Sequence, residues 1–438
     1  SLTAALSGLH RGGFFDMLTI LPNKLYLSQE TQAVKRNPEM KAFVTPEDVE
    51  YIPFCDDFGP YNLTSVIFFA CTLNDEMDAH RSKRIVYLVD TDPRRLTNSV
   101  FLLGAFLMLT RKMEPGQVWA KFSSIEETLL EPYRDASFDP PDFALSLLDC
   151  WRGLWRAMSL HWLALPTTRP TVWGQIDLEE YEHYEDPLNG DITQVVPGKL
   201  IAFKGPVDLG SSMYSDRQGF RRFSPSYYVQ VFQHLGVKTV VRLNEECYHR
   251  SAFENHRIRH VDLPFDDSGT PPMGVVSEFM RVARESSGLV AVHCKTGLGR
   301  TGTLVAAYMM RYHGFTAREA MGWLRIMRPG SVMGEQQRFL CSLEAPSAEI
   351  APSASPLPRA GSGPTRLDEE GWEQEPGPGR AGAERGLTGR VCFAGRDTAA
   401  ALSDQDPSNR APSQLLRIRD AAAAAAAGPP PTYPDASA

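Results

Sequence analysis

The sequence lacks cysteine pairs of the C-x-x-C kind. Its seven cysteines, Cys55, Cys71, Cys150, Cys247, Cys294, Cys341 and Cys392, are scattered and odd in number. That pattern fits neither a disulfide framework nor a structural zinc site and points to a reducing compartment. A long apolar run is missing too: the longest, residues 100–109, is about half of what crosses a bilayer. A large excess of one charge is missing, and a net −8 over 438 residues argues against a protein that coats nucleic acid or lies on an anionic membrane. Nothing has metal-ligand spacing, so neither metal nor cofactor is expected. What remains, at 42% hydrophobic and 22% charged residues, is an ordinary globular composition with length for two or three domains.

Large apolar residues run out near residue 345. Beyond it Ala, Gly, Pro and Ser dominate, with an alanine run over 421–427 followed by Gly428 and three prolines. Too little apolar surface is left to offset an ordering cost of about 1–2 kcal/mol per residue, so residues 346–438 are expected to be a disordered, low-complexity tail.

The body reads as two copies of one plan. Leu21-Pro-Asn-Lys-Leu-Tyr26 and Val196-Pro-Gly-Lys-Leu-Ile201 each look like a turn that launches a strand. Later in each half an apolar strand, at 85–89 and 289–292, runs through a short polar turn into an apolar helix, at 99–109 and 301–312. The repeated order predicts two α/β domains of similar fold, over residues 15–170 and 196–345, joined by an acidic, aromatic linker at 171–195. Val275, Val276, Phe279 and Val282 predict a helix that Ser287-Gly288 ends. Thr316 and Glu319 form a capping box for the next.

The chemistry lies in Val290-Ala-Val-His-Cys-Lys-Thr-Gly-Leu-Gly-Arg-Thr-Gly302. A strand ends at Cys294, a glycine-rich turn points successive N–H groups inward, and a helix begins near Arg300 and adds its dipole. The result is an anion cradle sized for phosphate, with a sulfur at its base. The same donors favour a thiolate. Arg300 grips two phosphate oxygens through its planar fork. Thr301 donates to the sulfur, and His293 orders the loop. The spacing makes Lys295, Thr296, Gly297, Leu298 and Gly299 the substrate-binding turn. A thiolate attacking a phosphomonoester also needs a proton donor for the departing oxygen. Asp267, in Leu263-Pro-Phe-Asp-Asp-Ser-Gly-Thr-Pro271, is the candidate, with Asp266 its rival.

These residues resemble the cysteine-dependent protein tyrosine and dual-specificity phosphatases, and within them the cell division cycle 14 type. The family loop reads H-C-K-A-G-L-G-R-T-G, from which only Thr296 departs. Further matches are Tyr61-Asn-Leu63, Arg134-Asp-Ala-Ser-Phe138, Tyr181-Glu-His-Tyr-Glu185, Asn189-Gly-Asp191 and Arg328-Pro-Gly-Ser331. The resemblance implies an α/β chain of two tandem dual-specificity-phosphatase-like domains, each a central sheet flanked by helices, of which only the second is catalytic. Asp90-Thr-Asp-Pro-Arg-Arg95 follows the first strand, without cysteine or glycine cradle, as that requires. The implied substrates are phosphoproteins made by proline-directed, cyclin-dependent kinases: phosphoserine, and less well phosphothreonine, before proline, with a basic residue downstream. An acidic groove reads that residue, and it carries over onto Glu182, Glu185 and Asp191. The family's acid precedes Gly-Ser-Thr-Pro, which supports Asp267, although here Ser268 and Gly269 are exchanged. Gln336 and Gln337 resemble the glutamines that position the hydrolytic water. Nucleus or nucleolus is the implied location, with cytoplasm, centrosome and spindle as alternatives. Two rivals stand beside this reading. A phosphoinositide phosphatase would share Lys295 but place a second base where Leu298 stands; a non-catalytic phosphoprotein scaffold would not need Cys294, Arg300 and Asp267 together.

Overall fold

A computed structural model describes residues 17–344, apart from 48, 52, 54, 55, 138–140, 165–171, 218, 219 and 268. The expected tail at 346–438, Cys55, Cys392 and Ser268 lie outside the described residues.

The first half is built on four strands, β1 (Leu18–Leu21), β2 (Leu25–Ser28), β3 (Met40–Phe43) and β4 (Arg84–Leu88), in the order β1-β2-β4-β3. Only β1 and β2 are antiparallel, joined by the predicted turn with Asn23 at φ +61°. Its longest helices are α1 (Leu63–Ala79), α2 (Pro93–Arg111) and α3 (Leu147–Ser159). Each starts where a side chain accepts an orphan amide: Asn62 from Ser65 N, Asp92 from Arg95 N and Ser146 from Asp149 N. The longest apolar run of the sequence is the centre of α2, and every residue from Leu96 to Leu109 is buried. A helix apolar on all sides has to be a core helix. Gly104 lets the Trp151 ring lie against it, where an added Cβ would come within 2.1 Å.

The expected linker is folded. Helix α4 (Leu178–Glu185) is capped by Asp177, and the buried Tyr181 hydroxyl donates to Met327 O at 2.7 Å. The second half then repeats the plan. Strands β5 (Ile192–Val196), β6 (Leu200–Phe203), β7 (Val237–Arg242), β8 (Arg259–Asp262) and β9 (Leu289–His293) run in the order β8-β7-β9-β6-β5, with only β5 antiparallel to its neighbour. Its longer helices are α5 (Pro225–Leu235), α6 (Met273–Glu285), α7 (Gly299–His313), α8 (Ala317–Met327) and α9 (Glu335–Ser342). The predicted capping box of Thr316 and Glu319 opens α8.

One apolar core is common to both halves, and a second cluster, around Phe203, Tyr228 and Phe232, belongs to the second half alone. A single cluster runs from Leu103, Trp151 and Leu154 to Trp323, Leu324 and Ile326. Backbone comes close to backbone at this seam: a Cβ on Gly153 would meet Glu319 O at 2.4 Å, and one on Gly322 would meet the Cys150 Cα at 2.8 Å.

Candidate active site

In both sheets the central strand leads through a short loop into a buried helix, β4 into α2 and β9 into α7. The second crossing holds Cys294, which is 2% exposed at the strand end. Four consecutive carbonyls, beginning with its own, are each taken by a donor outside the loop. Cys294 O accepts from His293 Nδ1 at 2.9 Å, and Lys295 O from Gly205 N at 3.1 Å. Thr296 O and Gly297 O accept from Arg328, through Nη2 at 3.2 Å and Nε at 2.8 Å. A trans peptide points its N–H opposite to its C=O. Drawing these carbonyls outward therefore turns the amides of Lys295, Thr296, Gly297 and Leu298 inward, where they meet no backbone acceptor among the described residues. Gly297 sits at φ +71°, and a Cβ there would lie 2.1 Å from Phe203 O. Gly299 opens α7, whose N-terminus has no side-chain cap of its own. The anion site is thus made of backbone, held from outside by Arg328.

Arg300 is 3% exposed, and its Nη1 donates to Phe265 O at 3.0 Å and Leu243 O at 3.4 Å. Its Nε lies 3.3 Å from Asp267 Oδ1. Asp267 is thereby brought to the cradle with its carboxylate 65% exposed, free to meet a leaving oxygen. Asp266 has no such tie: its carbonyl accepts from Gly269 N in the turn.

Residues 19–157 match the family model "Dual specificity protein phosphatase, N-terminal half", and residues 224–345 match "Dual specificity phosphatase, catalytic domain". Dual specificity protein phosphatase CDC14A of Mus musculus is 35% identical over 76% of this chain and 54% of its own length. Tyrosine-protein phosphatase cdc-14 of Caenorhabditis elegans is 36% identical over 73% and 45%. The CDC14 homolog of Schizosaccharomyces pombe is 36% identical over 75% and 61%. The chain belongs to the CDC14-type dual-specificity phosphatases. It spans only about half the length of these CDC14 relatives.

The remaining expected residues of the CDC14-type site fall into place unevenly. Thr301 is fully buried, and its hydroxyl has no hydrogen-bond partner among the described residues. Lys295 is exposed, Thr296 half-buried and Leu298 buried. Gln336 and Gln337 part company. The Gln336 amide donates to Gly269 O at 3.2 Å, and its Oε1 would lie 3.0 Å from a Cβ on Gly299, so it touches both the acid loop and the cradle. Gln337 faces away, its Oε1 accepting from Arg325 Nη2 at 2.7 Å.

The residues of the expected acidic groove differ in exposure. Glu182 is exposed, but Glu185 is buried and accepts from Asn62 Nδ2 at 2.8 Å. Asp191 is buried and pairs with Arg328 Nη1 at 2.7 Å. Asp191 thereby sets the arginine that holds Thr296 O and Gly297 O. On the same helix, burial and the Asp177 charge push the Glu180 carboxyl up to about 7.

Three groups were not singled out for this site. Arg328 entered only within a family match, because a long-range donor to a backbone carbonyl leaves no local pattern. Tyr248 and His260 are the others. The Tyr248 hydroxyl lies 2.7 Å from His293 Nε2 and 2.9 Å from His260 Nε2. Because His293 Nδ1 must carry the proton it gives to Cys294 O, its Nε2 accepts from Tyr248, which accepts in turn from His260. Burial pushes His293 down to about 3 and His260 down to about 4, so both rings are neutral at physiological pH. A ring that stays neutral and fully bonded orders the loop rather than shuttling protons.

Proposed function

We propose that the chain is a cysteine-dependent protein phosphatase acting on phosphoserine and phosphothreonine, and on phosphotyrosine in vitro. Its preferred sites are phosphoserine–proline with a basic residue downstream. On this reading it opposes cyclin-dependent kinases in cell-cycle control, in the nucleus or nucleolus. The observation that carries the proposal is the cradle: outward carbonyls from Cys294 to Gly297, inward amides, and Arg300 beside Asp267.

The reaction follows from that geometry in two displacements. Cys294 Sγ, as thiolate, attacks phosphorus; the S–P bond forms as the P–O bond to the leaving serine oxygen breaks. Asp267, protonated, gives its proton to that oxygen, so a neutral alcohol departs. The loop amides and Arg300 hold the equatorial oxygens while charge moves across them, a stabilisation worth about 10²–10³-fold in rate per donor. Asp267, now a carboxylate, takes a proton from water, whose oxygen attacks phosphorus and breaks the P–S bond. Inorganic phosphate and the thiolate result, and the Thr301 hydroxyl donates a hydrogen bond to the departing sulfur. Gln336, against Gly299 and Gly269, is placed to orient that water. Glu182, which like Glu179 is an exposed carboxylate of the α4 helix, meets a downstream lysine.

The test is phosphate release from two phosphoserine peptides, Ser-Pro-x-Lys and Ser-Pro-x-Ala, with intact protein and Cys294→Ser. Cleavage that favours the lysine peptide and vanishes in the variant is expected. Equal rates on both remove the substrate preference but leave the enzyme; binding without release makes the chain a scaffold.

A further inference from the structure

The Arg134-Asp-Ala-Ser-Phe138 motif belongs to the non-catalytic half, and none of the chemistry above uses it. Its Asp135 is 4% exposed and lies at the start of α9. Asp135 Oδ2 accepts from Gly334 N at 2.6 Å, and Ser137 Oγ holds the other oxygen at 3.2 Å. Gly334 is the cap residue of α9, at φ +54° and ψ −135°, a backbone that essentially only glycine adopts. With no side chain at the cap, the helix takes its negative partner from across the seam. Arg325, buried behind it, fixes the preceding turn through Ser331 O and Val332 O and holds Gln337. Two residues beyond Gly334 stands Gln336, whose amide donates to Gly269 O of the acid loop, accepts from Met333 N and lies against Gly299 of the cradle.

We infer that Asp135 is a positioning residue for phosphoenzyme hydrolysis, contributed to the catalytic site by the other half of the molecule. It touches neither Cys294 nor Arg300. It sets the cap of α9, the cap sets Gln336, and Gln336 sets the water that attacks phosphocysteine. The inference rests on the phosphatase reading for its chemistry and on the Gly334 contact for its geometry.

The experiment separates the two. With p-nitrophenyl phosphate, whose leaving group needs little acid help, Asp135→Ala is expected to lower kcat by about tenfold to a hundredfold while kcat/KM changes less than about threefold. Nitrophenol should then appear in a burst approaching one equivalent per enzyme, as phosphocysteine accumulates. Asp135→Asn, whose amide oxygen can still accept from Gly334 N, should restore kcat most of the way. Gln336→Ala should reproduce the burst. A parallel fall of kcat and kcat/KM without a burst, or no change in either, would overturn the inference. Amide hydrogen exchange gives a readout that needs no turnover: in Asp135→Ala, α9 should exchange faster and α6 should not. Unchanged exchange in α9 would sink the proposal even if the chain proved to be a phosphatase.

Discussion

The crossing from β4 to α2 and the crossing from β9 to α7 occupy the same place in two sheets of matching topology, yet only one can hold an anion. In the first, Asp92 accepts from Arg95 N at 2.9 Å, Asp90 accepts from Asp92 N at 3.0 Å, and Pro93 has no N–H to offer. The Asp92 bond is also the main reason that Asp90 titrates below its ordinary range. That helix N-terminus is filled by its own carboxylates. In the second, glycines replace the cap, four carbonyls are drawn outward, and the amides stay open. The shared strand-to-helix crossing therefore leaves the function to a few residues and to the donors that turn them.

The strongest way to break this comparison is Gly297→Ala. At φ +71° and 2.1 Å from Phe203 O, a methyl group has nowhere to go. A loss of about a hundredfold in kcat/KM is expected, together with about 2–4 kcal/mol of stability, read by kinetics and by urea unfolding. Asp191→Asn comes next. Asp191 has φ +53°, which asparagine tolerates, so the change removes the charge on Arg328 and keeps the backbone. Phosphate release should fall about tenfold, with the fold intact by circular dichroism.

The relay behind the loop predicts a pH effect on stability. His260 and His293 titrate near 6.5 when exposed and are pushed down to about 4 and about 3 in the fold. Between those values the unfolded chain binds protons that the folded chain refuses. Stability is complete above pH 6.5 and drains away as pH falls through that window. Replacing His260 by Gln keeps a donor to Tyr248 without the titration. The variant should lose less stability than the parent between pH 7 and 4, by on the order of 1–3 kcal/mol in denaturant midpoints. The smallest effect sharpens the contrast from the other side. Asp92→Ala, which uncaps α2, should cost about 1 kcal/mol of stability and leave kcat unchanged.

How much of this could be read from residues alone follows the range of each interaction. The two-copy plan was legible because the turns at 21–26 and 196–201 and the two apolar crossings are local patterns. The predicted helix at 99–109 proved longer, Pro93–Arg111, because its cap and first turn are polar and carry no apolar period. The catalytic loop was legible in full, since cysteine, glycines and arginine lie within one turn of chain. Its supports were not. Arg328 and Gly334 act through backbone carbonyl and amide bonds to residues 31 and 199 positions away. A spacing argument cannot see such bonds. The groove residues show the same limit in reverse: Glu185 and Asp191 look like free charge in the sequence, and only the fold shows that Asn62 and Arg328 hold them.

The most direct test of the central claim is to trap the covalent intermediate. The protein is acid-quenched during turnover of a substrate labelled in its phosphate, digested and mapped. The account predicts phosphate on the peptide that carries Cys294, approaching one equivalent in Asp135→Ala and absent in Cys294→Ser, with none on the Asp90–Arg95 crossing. Sustained phosphate release with no label on Cys294, or label on the first crossing, would contradict it.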